Sequence, residues 1–290
     1  MGARLVKYLD KAGKKVRVLT LPGDPNLFRL ADIDCELVFG DVSDASSLKG
    51  IFEGICTVFH LAAVIISHDT AVFERVNFEG TRNMVLGAKA SGVSHFIHVS
   101  SVAVSDPRAS DYASSKARSE ELVSSCEPDM TWTIVRPTLA YEKGGGQEFM
   151  MFLEYLKKYP VVPFIGHGRG KKRPVFVADI VQGLAAIADN PKTYGKIYNF
   201  SGSETICIRD LAKLMLKHQG LAKPIVPIPI SLCRIAATLM ERFMKNPPLT
   251  RYAISRIEQN ADFDNSTVCE DLGISPIGVT EGLQRCYPIS

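Results

Sequence analysis

Short β-branched runs alternate with amphipathic stretches from Gly2 to about residue 200. That rhythm predicts repeated βαβ units around a parallel sheet. Leu5, Val6 and Leu9 fall at helical spacing ahead of a strand at Val16–Leu19; Glu36–Phe39 forms the next strand, and Ser43 or Asp44 is placed to cap the turn after it. Cys56–His60 reads as a strand, Ala71 to Ala90 as a long helix, His95–Val99 as a strand, Asp111 to Ser124 as a helix and Trp132–Val135 as a strand. After Pro137 the rhythm loosens into Gly144-Gly145-Gly146, a helix near Glu148 to Lys158 and a Pro- and Gly-broken stretch to Pro174. It returns with a strand at Val175–Val177, a helix from Ala178 to Asp189 and a strand at Ile197–Phe200.

The last ninety residues are mostly helical and are expected to cap one side of the sheet. Leu232, Ile235, Ala236, Leu239, Met240 and Phe243 form one apolar stripe at helical spacing. The plain expectation is a helix packed on the core; a lid over an apolar substrate and a contact with a membrane surface are the other placements.

Composition narrows the class. At 290 residues and 46% hydrophobic, the chain can bury a large core. A net charge of +3 is too mild for a nucleic-acid partner. The seven cysteines are scattered without a C-x-x-C pair, which points to free thiols in a reducing cytoplasm and away from disulfides or zinc. No apolar run reaches the roughly 18 residues of a membrane span, and the start lacks the apolar region of a secretory signal.

Chemistry concentrates at Tyr112-x-x-x-Lys116, eleven residues after Ser101, which ends an apolar strand. A phenol of pKa near ~10 needs a lowering of about 3 units to act as a base near neutrality, and a cation supplies that. Four residues apart on a helix, Tyr112 and Lys116 lie on one face. Ser101, delivered at the carboxyl end of a strand where α/β sheets bind ligands, can hydrogen-bond a substrate oxygen while Tyr112 moves its proton.

Other short motifs stand in order around these three residues: Gly40-Asp41-Val42, His60-Leu61-Ala62-Ala63, Asn77-Phe78-Glu79-Gly80-Thr81, Arg136-Pro137 and Val177-Ala178-Asp179. With them the chain resembles the extended short-chain dehydrogenases/reductases, the NAD-dependent epimerase/dehydratase group, over nearly its whole length. The resemblance implies a Rossmann-like, doubly wound parallel sheet with a smaller, mostly helical substrate region. The dinucleotide-binding part is expected at 1–140 and 173–200, and the substrate-binding cap at 141–172 and 201–290. It also implies Ser101, Tyr112 and Lys116 as catalytic residues. Gly2, Asp41, Val42, Leu61, Ala62, Ala63, Tyr112, Lys116 and Pro137 would line the cofactor, and Ser101 and Arg173 the substrate. NAD is preferred to NADP, and dimerisation through the 71–90 and 111–124 helices is a family expectation. Simpler roles compete: a helix cap for Asp41 or Asp179, close packing for Gly80, backbone support for Asn77, and core positions for His60 and His98, whose spacing suggests no metal site.

The chain departs from the family at its start. Gly2-Ala3-Arg4-Leu5-Val6-Lys7-Tyr8-Leu9 matches what begins at the third glycine of a Gly-x-x-Gly-x-x-Gly phosphate loop, so a strand and two glycines are missing. An N-terminally shortened form of an enzyme with a complete loop is the expectation. Strands two and four would then pair directly or leave a gap. Gly166-x-Gly168-x-Gly170 is no substitute, since Lys171-Lys172-Arg173-Pro174 comes next in place of a helix, and it reads as a substrate-side loop.

Two functions remain in view. One is an NAD(P)-dependent oxidoreductase acting on a secondary alcohol or ketone, either a nucleotide sugar or a hydroxysteroid-like compound. The other is a dinucleotide-binding scaffold or assembly subunit without turnover.

Overall fold

Six parallel strands carry the predicted rhythm in the computed structural model, which describes residues 1–106, 108, 110–244 and 247–288. They are β1 (Arg17–Thr20), β2 (Glu36–Phe39), β3 (Thr57–His60), β4 (His95–Val99), β5 (Thr131–Pro137) and a sixth at Lys196–Phe200. All belong to a first unit made of Met1–Pro137, Ala178–Phe200 and Asn265–Ile274. A second unit comprises Thr138–Val177, Ser201–Asp264 and Ser275–Ser290.

In the first unit, β4 is buried at all five positions because it runs between β3 and β5, with the sixth strand beyond β5. A strand covered on both faces reads as a continuous apolar run, and His95–Val99 does so apart from its two histidines. Parallel register places His60 opposite His98, and His98 opposite Ile134. β3 therefore ends one residue short of β4, and β5 runs two residues past it. Phe52, Val58, Met84, Val85, Phe96, Val123 and Trp132 belong to the apolar core of this unit.

The sheet is not continuous. β1 pairs with β2 alone, and β3 is the terminal strand of the four-stranded sheet, so β1 and β3, the strands expected to flank the missing one, do not pair and a gap lies between them. Side chains hold the two-stranded piece in place: Arg17 Nη1 donates to the carbonyls of Ile51 (3.0 Å) and Glu53 (2.9 Å), while Leu19 packs on the apolar core.

Asn265–Ile274, expected in the cap, belongs to the first unit for a polar reason. Asp271 accepts from Lys196 Nζ and from the Tyr198 hydroxyl, both at 2.6 Å. The helices of this unit include α1 (Gly2–Lys11), α2 (Gly80–Ala90) and α3 (Asp111–Ser124). The long helix expected from Ala71 opens with a π-helical segment, Phe73–Glu79, before α2 continues it.

Among its described residues, the second unit holds paired short strands and helices at Gln147–Lys158, Ile208–His218, Ile230–Phe243, Arg251–Glu258 and Val279–Cys286. Val175–Phe176 is only two residues long and pairs with Ala140–Tyr141, not with the main sheet. The Gly166–Gly170 loop is packed tightly: a Cβ on Gly170 would lie 2.1 Å from the carbonyl oxygen of Ile257. The Ile230–Phe243 helix has the expected period but buries the opposite side. Cys233 and Ala237 face its local core, while Leu232, Ile235, Leu239 and Phe243 stand 52–77% exposed.

One glycine sets how closely the start of α2 approaches the loop after β2. A Cβ on Gly80 would sit 2.8 Å from Val42 Cγ2, and valine has no flexible end to swing aside. Gly80→Ala is therefore expected to cost about 1–3 kcal/mol through overpacking. Adding Val42→Ala should relieve part of it, so that the double variant loses less than the sum of the two single variants in urea denaturation.

Candidate active site

α3 starts cleanly because Ser110 caps it, its hydroxyl accepting from the Ala113 N–H at 3.1 Å. Its buried face is unusual: Ala113, Ser115, Lys116, Ser119, Glu120 and Val123 point inward. Small serines let the helix lie close to the π-helical segment, and each hydroxyl finds a partner. Ser115 Oγ donates to the Tyr112 carbonyl (2.8 Å), and Ser119 Oγ lies within reach of the Ser115 (2.8 Å) and Asn77 (3.0 Å) carbonyls.

Lys116 is 1% exposed. Its ammonium donates to the Val99 carbonyl at 2.8 Å and meets His98 Nε2 at 3.1 Å, both on β4. Burial lowers the lysine pKa to about 7, opposed by the Glu120 carboxylate one turn further on. That carboxylate is gripped by Arg136 from β5, whose Nε lies 2.9 and 3.1 Å from its two oxygens. Burial, then the Lys116 charge, pushes His60 down to about 3 and His98 well below its ordinary value, so both imidazoles are neutral.

Tyr112 is half-buried, its ring edge-on to Phe73 with centroids 6.1 Å apart. Ser101 comes after β4 and caps the short turn Val102–Ser105, its hydroxyl accepting from the Ala103 N–H at 3.1 Å. α3 packs on that turn, so the tyrosine helix lies beside the segment that begins at Ser101. Ser100, just before it, is buried with its hydroxyl unpartnered.

Asn77 organises the surroundings. Its side chain accepts from the Val64 N–H (2.8 Å) and donates to the Val64 carbonyl (2.9 Å) and to Ser115 Oγ (3.2 Å). It thus fixes the segment holding Leu61, Ala62 and Ala63 against α3. This is the backbone support that competed with ligand contact in the sequence.

The other predicted residues are spread more widely. Asp41 makes a local turn, its Oδ1 accepting from the Ser43 N–H (2.8 Å) and hydroxyl (2.7 Å). Val42 is buried in the core, and Pro137 is buried at the end of β5. Gly2 opens α1, with no atom within 4 Å of where its Cβ would stand. Arg173 lies in the second unit and donates to the carbonyls of Gly202 (2.9 Å) and Phe263 (3.2 Å). An open cleft of about 810 Å³ lined by Ser43, Asp44, Glu74, Arg75 and Asn83 shares none of the candidate residues. Among the described residues no cluster of His, Cys, Asp and Glu is arranged to hold a metal, and no helix is long and apolar enough to cross a membrane.

Comparison with known proteins gives the family and the fold. Residues 1–201 match the NAD dependent epimerase/dehydratase family. A ceramide reductase of Caulobacter vibrioides is 31% identical over 191 residues, which cover 66% of this chain and 58% of that protein, so the match spans little more than half of that relative's length. NADH dehydrogenase [ubiquinone] 1 alpha subcomplex subunit 9 of Arabidopsis thaliana is 26% identical, covering 100% of this chain and 74% of its own. Among solved structures, dTDP-glucose 4,6-dehydratase of Streptomyces venezuelae with NAD bound superposes with a TM-score of 0.77 at 21% identity, over 99% of this chain and 92% of that one.

The lowered pKa of Lys116 fixes the sign of a stability effect. Between about 7 and the unfolded value near ~10.4, the unfolded chain binds the proton that the folded chain has released, so stability rises with pH across that window. Lys116→Met removes this slope. The thermal midpoint of the variant relative to the natural chain should therefore fall steadily as pH rises from about 7 to 10.

Proposed function

The chain belongs to the NAD-dependent epimerase/dehydratase family, and from that premise we propose that it is an NAD(H)-dependent oxidoreductase acting on a secondary alcohol or its ketone. The observation that carries the proposal is the buried ammonium of Lys116, tied to the carboxyl end of β4 immediately before Ser100 and Ser101. A charge taken out of water is costly unless it is paired and used. Here it stands one helical turn from Tyr112.

The residues present suit a dinucleotide. Ser100 Oγ is an orphaned buried hydroxyl at the end of β4. At the other end, Gly2 leaves open space at the amino terminus of α1, whose first turn holds no carboxylate to repel an anion. Lys116, Tyr112, Ser100 and the Leu61–Ala63 segment would hold the nicotinamide half, with Gly2 toward the phosphates. When bound, NAD supplies the acceptor or donor of hydride.

The protein's own residues do the rest. Ser101 hydrogen-bonds the substrate oxygen and fixes the reacting carbon. Tyr112 takes the hydroxyl proton during oxidation or returns it during reduction, at its phenolic oxygen. The Lys116 cation favours the phenolate and so brings the proton transfer toward neutral pH. The Asn77 clamp holds the Leu61–Ala63 segment and α3 at fixed separation.

For the substrate we favour an apolar hydroxy or keto compound over a nucleotide sugar. The likeness to a ceramide reductase supports this. The likeness to a subunit of an NADH dehydrogenase [ubiquinone] subcomplex favours a second reading, a dinucleotide-binding scaffold without turnover.

A panel of long-chain and steroid-like alcohols and ketones, followed by NADH absorbance, separates the two. Tyr112→Phe is expected to lower kcat by about 10²-fold or more while NAD binding persists in a fluorescence titration. NAD binding by the natural chain with no turnover of any member would establish the scaffold reading instead.

A further inference from the structure

Five buried polar residues form a chain that ends on the lysine. Thr81 donates its hydroxyl hydrogen to the Asn77 carbonyl at 2.5 Å, so its oxygen is left to accept from His60 Nε2 at 3.0 Å. This fixes the His60 proton on Nε2. The His60 ring stacks on His98, with centroids 5.4 Å apart and planes inclined by 26°. His98 Nε2 then meets Lys116 Nζ at 3.1 Å. None of the five is more than 2% exposed.

Resting on the catalytic reading of Lys116 given above, we infer that His98 is a positioning residue for that lysine: its Nε2 accepts one ammonium hydrogen, as the Val99 carbonyl accepts another, and so aims the third. An ammonium has three hydrogens and no acceptor. With two of them bound to acceptors on β4, the direction of the last is set by tetrahedral geometry. The helix supplies the lysine, and the sheet decides where it points. Because Nε2 accepts, the His98 proton must sit on Nδ1, which is buried without a partner. An apolar side chain would avoid that orphaned group, so the imidazole is explained by what its other nitrogen does.

The ionisable groups facing the pair are few and named. His60 comes from β3, and Glu120 from the lysine's own helix. Arg136 comes from β5 and holds Glu120. A neutral imidazole accepting from Nζ favours the ammonium. Replacing it by an apolar group in the same burial favours the amine.

The test uses the 290-residue chain, with lysine labelled at ¹³Cε and histidine with ¹⁵N, titrated by NMR. In the natural chain His98 should be protonated on Nδ1, with Nε2 showing the shift of an acceptor. His98→Leu should lower the Lys116 midpoint by at least about one unit, a tenfold drop in the ammonium-to-amine ratio at a given pH. His98→Gln, whose amide oxygen can accept, should restore most of it. A proton on Nε2 of His98 in the natural chain overturns the inference, whether or not the leucine variant folds. So does a folded leucine variant, checked by circular dichroism, with an unmoved midpoint. These readings need no turnover. If the lysine titration responds to the His98 variants and no alcohol or ketone reacts, the positioning role stands and the catalytic reading falls. If turnover depends on Tyr112 and Lys116 while the titration ignores His98, the reverse holds.

Discussion

A lysine ammonium enclosed between a helix and a sheet is tolerated only where its hydrogens are met, and the first unit is arranged around meeting them. Lys116 finds its acceptors on β4 and its nearest countercharge on Glu120, itself held by Arg136. Desolvation still outweighs that countercharge, which is why the group titrates near neutrality. A helix that packed an apolar face here would be more stable and would carry no charge to the strand ends. The polar inner face of α3 departs from the apolar packing expected of a buried helix face.

The π-helical segment Phe73–Glu79 serves the same end from the other side. Its Asn77 carbonyl is taken up by the hydroxyls of Thr81 and Ser119, while the Asn77 side chain reaches across to Val64 and Ser115. An extra residue per turn re-aims one side chain without breaking the helix, and such segments are frequent at functional sites. Asn77 thereby joins three pieces of backbone that ordinary apolar packing would leave free to slide.

Much of this was legible in the residues. β4 and α3 occupy the predicted spans His95–Val99 and Asp111–Ser124, because a fully buried strand and a serine-capped helix announce themselves locally. The π-helical segment did not, since a hydropathy period cannot register a one-residue insertion. The inner face of α3 was invisible for a different reason: its burial is polar, and periodicity counts apolar positions. His60 and His98 read as core residues, and they are buried, but only the parallel register puts them side by side against Lys116. The signal was present as two histidines at the ends of adjacent strands, one of them just before the serines. For the Ile230–Phe243 helix the period was right and the side wrong, because Cys233 and Ala237, small enough for close approach, are what the local core accepts.

The interruption between β1 and β3 shows how little of this arrangement depends on a continuous sheet: β4, whose end meets Lys116 and leads into Ser101, lies wholly within the four-stranded piece. The chain, meanwhile, passes between its two units five times, at residues 137–138, 177–178, 200–201, 264–265 and 274–275. Neither unit therefore corresponds to a stretch of gene that recombination could move intact. Diversification of either one must come by substitution in place, residue by residue, and not by the exchange of a ready-made module.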